Sequence, residues 1–233
     1  MPLNALVTGA NRGIGLEFTR QLLARGDRVI AACRKPGQAH ALDALAGEHP
    51  GRLQLVPLDV AEAPSHKALL GELPLLLGEG RLDLVIQNAG VLHSGERFGQ
   101  VKEAVLLDSF RTNASGPLLL AQSLAPWLAD GAKLANLSSI LASMAVTDAF
   151  STPSYRVSKA AQNMVTRLLA AALKDRGITV LALHPGWVQT DMGGDGASVP
   201  VAESARGLLG VIEAATPKDS GRFLDWQGRE IAW

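Results

Sequence analysis

Short apolar runs alternate with longer stretches of helical periodicity along this chain, and that alternation leaves few folds open. Leu3–Thr8, Arg28–Ala32, Leu53–Leu58, Leu82–Gln87, Lys133–Ser138 and Thr179–His184 each read as a strand. Apolar runs without polar alternation suit strands buried on both faces, as in a covered parallel sheet. Between them, helices are expected near Ile14–Arg25, Gln38–Ala46, Ser65–Leu77, Val101–Leu128 and Ser154–Arg176, with a last helix near Ala202–Ala215 and a short strand near Arg222–Asp225. Helices between successive strands imply right-handed crossovers, hence an α/β, doubly wound parallel sheet of about seven strands. Apolar residues make up 47% of the chain, enough for such a core in one domain over residues 1–233. The glycines at Gly193–Gly196 restrict the backbone little, so residues 191–201 are expected to form a flexible loop over a substrate.

Charge and cysteine usage exclude several function classes. Lys plus Arg and Asp plus Glu both number 22, so no global field recruits nucleic acid or an anionic membrane. Cys33 is the single cysteine, which leaves no disulfide framework and no thiolate metal site. No apolar stretch reaches membrane-spanning length, and the first strand begins at Leu3, so a cytoplasmic protein without a signal peptide is expected.

The first strand runs into Thr8-Gly9-Ala10-Asn11-Arg12-Gly13-Ile14-Gly15, where a helix opens. Glycines there permit a tight turn and close approach of the backbone to a pyrophosphate, and the helix N-terminus supplies N–H groups and a favourable dipole. A dinucleotide site therefore includes Gly9, Asn11, Arg12, Gly13, Ile14 and Gly15. The second strand ends at Ala32-Cys33-Arg34-Lys35, without the acidic residue that accepts the ribose hydroxyls of NAD. Arg34, helped by Arg12, can instead meet a 2′-phosphate with a planar fork of donors, so NADP is expected over NAD. Asp59 after the third strand can accept from the adenine amine, Val60 can lie against the ring, and Asn88-Ala89-Gly90 can wall the ribose side.

Tyr155 is the chain's one tyrosine, and Lys159 follows at the spacing that puts both on one helical face. A free phenol titrates near pH 10, and a neighbouring cation lowers that value. With Thr8–Gly15, Asp59, Asn88–Gly90, Asn113, Ser139 and Pro185–Gly186, this pair makes the chain resemble a short-chain dehydrogenase/reductase, a family with a single-domain Rossmann fold. Ser138-Ser139-Ile140-Leu141, Tyr155-Arg156-Val157-Ser158-Lys159 and the terminal Gly221–Trp226 run resemble its C-factor-like and carbonyl-reductase-like branch. Gln87 departs from the family's frequent first Asn.

The resemblance implies roles for these positions. Tyr155 is the general acid for a carbonyl oxygen, and Lys159 lowers its pKa and holds the nicotinamide ribose. Ser139 orients the carbonyl, and Asn113 anchors a proton-relay water. Ser138 is the rival serine, but strand alternation turns it to the opposite face, and the motif favours Ser139. Pro185 and Gly186 flank the nicotinamide, with Val188 and Thr190 at its carboxamide. Phe150 and Trp187 are candidates for an apolar substrate wall, or else core aromatics; His93 is a candidate for reaching the substrate, and His184 reads as structural. The expected function is NADPH-dependent reduction of a small aldehyde or ketone, with a homodimer or higher homo-oligomer formed through the helices carrying Asn113 and Tyr155. A C-factor-type NADP-binding signalling or sensor protein with little turnover is the alternative. A hydrolase lacks its Gly-x-Ser-x-Gly elbow here, and a metal enzyme lacks a ligand set.

Overall fold

The computed structural model describes residues 2–233. Its strands are β1 (Asn4–Thr8), β2 (Arg28–Cys33), β3 (Leu53–Pro57), β4 (Leu82–Gln87), β5 (Leu128–Leu137), β6 (Thr179–His184) and β7 (Phe223–Asp225). They form one sheet in the order β3-β2-β1-β4-β5-β6-β7. Every neighbouring pair is parallel. The helices are α1 (Gly13–Ala24), α2 (His40–Glu48), α3 (Ala63–Leu77), α4 (Glu103–Phe110), α5 (Gly116–Leu124), α6 (Pro153–Ala172) and α7 (Val201–Ala214). None of the helices among the described residues is long and apolar enough to cross a membrane.

The continuous apolar strands serve two cores at once. In β1, Ala5 and Val7 join Phe18 and Leu22 of α1 and Leu208, Leu209 and Ile212 of α7 on one face. Leu6 between them points the other way, into Leu69 and Leu73 of α3, Leu120 and Leu124 of α5, and Val165 and Leu169 of α6. A sheet covered on both faces is the arrangement such runs require. The chain builds outward from β1 through β2 to β3, then returns so that β4 pairs with β1, with Leu6 opposite Val85. That reversal opens a crevice at the strands' C-terminal ends.

Three elements differ from expectation. The single helix expected over Val101–Leu128 is broken: α4 passes through a π-helical turn at Arg111–Ser115 into α5, and a 3-10 turn at Ala125–Trp127 follows. A π turn admits one extra residue and often marks a functional position. Strand β5 begins at Leu128 rather than Lys133, because Leu82 pairs with Leu128 ahead of an irregular register. Gly131 takes a positive φ of 76°, and the strand continues through it. Finally, α6 ends at Ala172 and a separate 3-10 turn occupies Lys174–Arg176.

Candidate active site

At the end of β1, three glycines answer two constraints, one of backbone conformation and one of space. Gly9 and Gly13 have φ of 64° and 55°, a region that side chains other than glycine rarely adopt. At Gly15 the constraint is space, since a Cβ would lie 2.3 Å from the Gly9 carbonyl oxygen and 2.4 Å from Asn88 Nδ2. Asn88 at the end of β4 clamps this turn, donating from Nδ2 to the carbonyls of Thr8 at 2.9 Å and Gly9 at 3.1 Å. The Thr8 hydroxyl accepts from the backbone N–H groups of Asn88 and Ala89 at 3.1 and 3.0 Å. Helix α1 opens with no side-chain cap and no acidic residue in its first turn. Its first N–H groups are thus available to an anion, which fits the pyrophosphate of a dinucleotide.

Next to this turn, Arg34 is exposed at the end of β2 beside buried Cys33. Asp59 is half-buried; its carboxylate accepts from Ala61 N at 3.0 Å, while its own N–H donates to Ser65 Oγ at 2.8 Å. Val60 is buried, and Gly116 of α5 packs so closely on it that a Cβ would stand 2.4 Å from the Val60 carbonyl oxygen. Asn11 and Arg12 are exposed. Arg12 reaches across the cleft, pairing with Asp191 at 2.9 Å rather than joining Arg34.

The catalytic candidates meet where β4 and β5 end against α6. Tyr155 and Lys159 lie on the inner face of α6, both buried, with Lys159 Nζ 5.7 Å from the tyrosine ring centroid. Lys159 Nζ donates to the Leu137 carbonyl at 2.6 Å and to Gln162 Oε1 at 2.9 Å. Asn113 sits in the π turn with no exposed surface. Its amide donates to the Val91 carbonyl at 2.9 Å and to Ser158 Oγ at 3.0 Å, and its Oδ1 accepts from Val91 N at 2.9 Å. Gly90 faces both groups, for a Cβ there would be 3.1 Å from Asn113 Oδ1 and 3.6 Å from Lys159 Nζ.

The two serines part company. Ser138 Oγ donates to Asn163 Oδ1 of α6 at 2.6 Å, inside the core. Ser139 Oγ accepts from Leu141 N at 3.2 Å and lies beside the Tyr155 phenol. Burial pushes that phenol up to about 12, with Ser139 pulling the other way. Burial also brings the Lys159 ammonium down to about 7. In both cases the charged form loses its hydration, and that loss outweighs the nearby dipoles.

Beyond β6, Gly186 has a φ of 85° and packs on the Trp226 indole, where a Cβ would lie 2.9 Å from Nε1. Pro185 and Gly186 are half-buried, with the Pro185 carbonyl accepting from Ser204 Oγ at 2.6 Å. Val188 is buried, and Thr190 Oγ1 donates to its carbonyl at 3.3 Å. Trp187 and Phe150 are exposed rather than core. Trp187 Nε1 donates to the Gly193 carbonyl at 2.8 Å, and its ring packs where a Cβ on Gly196 would stand, so it braces the glycine-rich loop. Phe150 meets Phe98 edge to face at 5.3 Å. Residues 92–96, with Gln100, Val101 and Lys102, line an open cleft of about 900 Å³, and His93 there pairs with Asp108 at 2.8 Å. Glu96 from this segment accepts from the N–H and hydroxyl of Ser154, tying the cleft to the first turn of α6.

Ser158, Gln162, Gly116 and Glu96 were not among the sequence candidates. Ser158 and Gln162 carry a usable signal, lying three and seven residues after Tyr155 on the same helical face. Glu96 and Gly116 have none, since their partners Ser154 and Val60 are distant in sequence.

Residues 3–198 match the family model of the short chain dehydrogenases. The chain belongs to that family. Among curated relatives, the C-signal protein of Myxococcus xanthus is 42% identical over 156 residues, spanning 66% of this chain and 94% of that protein. A 1-hydroxy-2-glutathionyl-2-methyl-3-butene dehydrogenase of Rhodococcus sp. (strain AD45) is 35% identical over 98% of both. Among solved structures, the NADPH-bound carbonyl reductase from chicken fatty liver is 39% identical, with a TM-score of 0.94 over the whole of both chains. This short-chain dehydrogenase is therefore an oxidoreductase by family, built on the same Rossmann sheet as its relatives.

Proposed function

We propose that this short-chain dehydrogenase uses NADPH to reduce a small aldehyde or ketone to the alcohol, with Tyr155 as general acid. The observation that carries the reading is the convergence of Tyr155, Ser139, Lys159 and Asn113 at one end of the sheet, next to a glycine cradle whose helix amides are uncapped. Bound NADPH supplies the hydride. The protein's task is then to meet the negative charge that builds on the carbonyl oxygen. Ser139 donates a hydrogen bond to that oxygen, and Tyr155 donates the proton. Lys159 holds the ribose side and favours the tyrosinate left behind, while Asn113 fixes α6 through Ser158 and keeps Tyr155 and Lys159 in register.

Gly9, Asn11, Gly13, Ile14 and Gly15 form the pyrophosphate turn in this reading, and Asn88, Ala89 and Gly90 border the ribose. Asp59 and Val60 border the adenine, and Pro185, Gly186, Val188 and Thr190 the nicotinamide. Arg34, exposed and free of any ion pair among the described residues, supports NADPH over NADH, as does the NADPH carried by the chicken carbonyl reductase. Arg12 joins it by leaving Asp191. Phe98, Phe150 and Trp187 make the aromatic edge of the substrate mouth.

The test is NADPH oxidation across a panel of aldehydes and ketones. Wild type is expected to turn over at least one, and Tyr155→Phe to lose about 10²-fold or more in kcat while still binding NADPH. NADPH should bind at least tenfold more tightly than NADH. An inactive wild type that binds NADPH tightly would instead support a signalling role of the C-signal kind.

A further inference from the structure

Helix α6 carries a buried polar stripe in which nearly every member has a partner on the sheet or on the π turn. Ser158 bonds Asn113, Asn163 bonds Ser138 and Thr166 bonds Asn136. Gln162 is different, because its one partner is on its own helix. Its side chain has no exposed surface, its Oε1 accepts from Lys159 Nζ, and its Nε2, like Nδ2 of Asn163, has no hydrogen-bond partner. A buried amide with one end unpaired costs stability, and an apolar side chain of similar volume would avoid that cost. The group that the amide serves is the lysine.

An ammonium has three protons to donate. Two are fixed here, one to the Leu137 carbonyl of β5 and one to Gln162, which leaves the third for the side where Gly90 and Asn113 lie. We infer that Gln162 is a positioning residue for Lys159, stabilising its ammonium form and fixing the direction of its free proton. The inference rests on the catalytic reading of Lys159. An amide suits this place because its oxygen faces the ammonium without adding a charge, whereas leucine offers no acceptor and glutamate adds a full one. Tyr155 is the titratable neighbour on the same helix. The other elements against Nζ present neutral groups: the Leu137 carbonyl from β5, the Asn113 amide from the π turn and Gly90 from the loop after β4. Burial is what lowers the lysine's pKa.

The experiment follows Lys159 itself, by NMR of protein labelled with ¹³C at lysine Cε. The resonance is assigned from its loss in Lys159→Arg. In Gln162→Leu and Gln162→Met the titration midpoint should fall by about one pH unit, the size expected when a hydrogen bond to a charged group is lost. In Gln162→Glu it should rise by at least as much. The alkaline limb of kcat/KM for carbonyl reduction should move in the same directions. Two apolar variants guard against one failing to fold. Equal midpoints in wild type and variants would overturn the inference, as would an upward shift in either apolar variant. A failure of the catalytic reading looks different: midpoints would move as stated in a protein that reduces no carbonyl, or whose Tyr155→Phe variant stays active.

Discussion

Lys159 is an expensive residue to bury, and its cost is tied to pH. Its pKa falls from 10.5 to about 7 on folding. Between those values the unfolded chain holds a proton that the folded chain has released, so stability rises with pH through that interval. The penalty is fully present below about pH 7 and gone above pH 10.5, with an upper bound on the order of 5 kcal/mol. Lys159→Met removes it but orphans the Leu137 carbonyl and Gln162 Oε1. The expected net gain at pH 7 is about 2 kcal/mol, or ~4–8 °C in Tm, shrinking towards pH 10.5. Melting curves of the two proteins across that range check the prediction, and a gain independent of pH would contradict it. A protein that retains such a lysine accepts a stability cost at the site where chemistry needs it.

The glycine turn and the broken helix show what a whole element contributes. Gly15 is needed because α1 starts within contact of Gly9 and Asn88. In Gly15→Ala the new methyl meets backbone, which cannot yield as a flexible side chain would. NADPH affinity should fall at least tenfold, with a stability loss of about 1–3 kcal/mol. Fluorescence titration reads the first effect, and Gly37→Ala, where a methyl meets nothing within 4 Å, is the control. The Gly-x-x-x-Gly-x-Gly spacing was legible because the positive φ of Gly9 and Gly13 and the closeness of Gly15 to the Gly9 carbonyl are local, although Asn88 also crowds Gly15 from afar. The π turn was not. Arg111–Ser115 reads as plain helix, and its extra residue is held by Val91 and Ser158, which are remote along the chain. Phe150 and Trp187 were ambiguous for a similar reason, since an aromatic residue carries no local mark of facing the core or the solvent.

At the scale of the molecule, one face remains uncovered. Val157, Met164 and Leu168 line the outer side of α6, with Leu107 and Phe110 of α4 and Leu119 of α5 exposed beside them. The α6 residues recur at seven and eleven positions, one face of a helix. A stripe of this kind fits self-association, so a dimer is expected, at twice the 24.4 kDa chain mass. Light scattering at micromolar concentration checks it, and Met164→Glu with Leu168→Glu should return the single-chain mass.

The sequence by itself determined the alternation of strands and helices, the glycine turn and the Tyr155–Lys159 spacing, because hydrophobic period and backbone freedom are local properties. The tertiary structure decided which polar atoms meet: Asn113 with Ser158, Lys159 with the Leu137 carbonyl, Glu96 with Ser154, and Arg12 with Asp191. Those pairings depend on strand order and on where the crossovers deposit each helix, and neither is written in the spacing of residues along one segment.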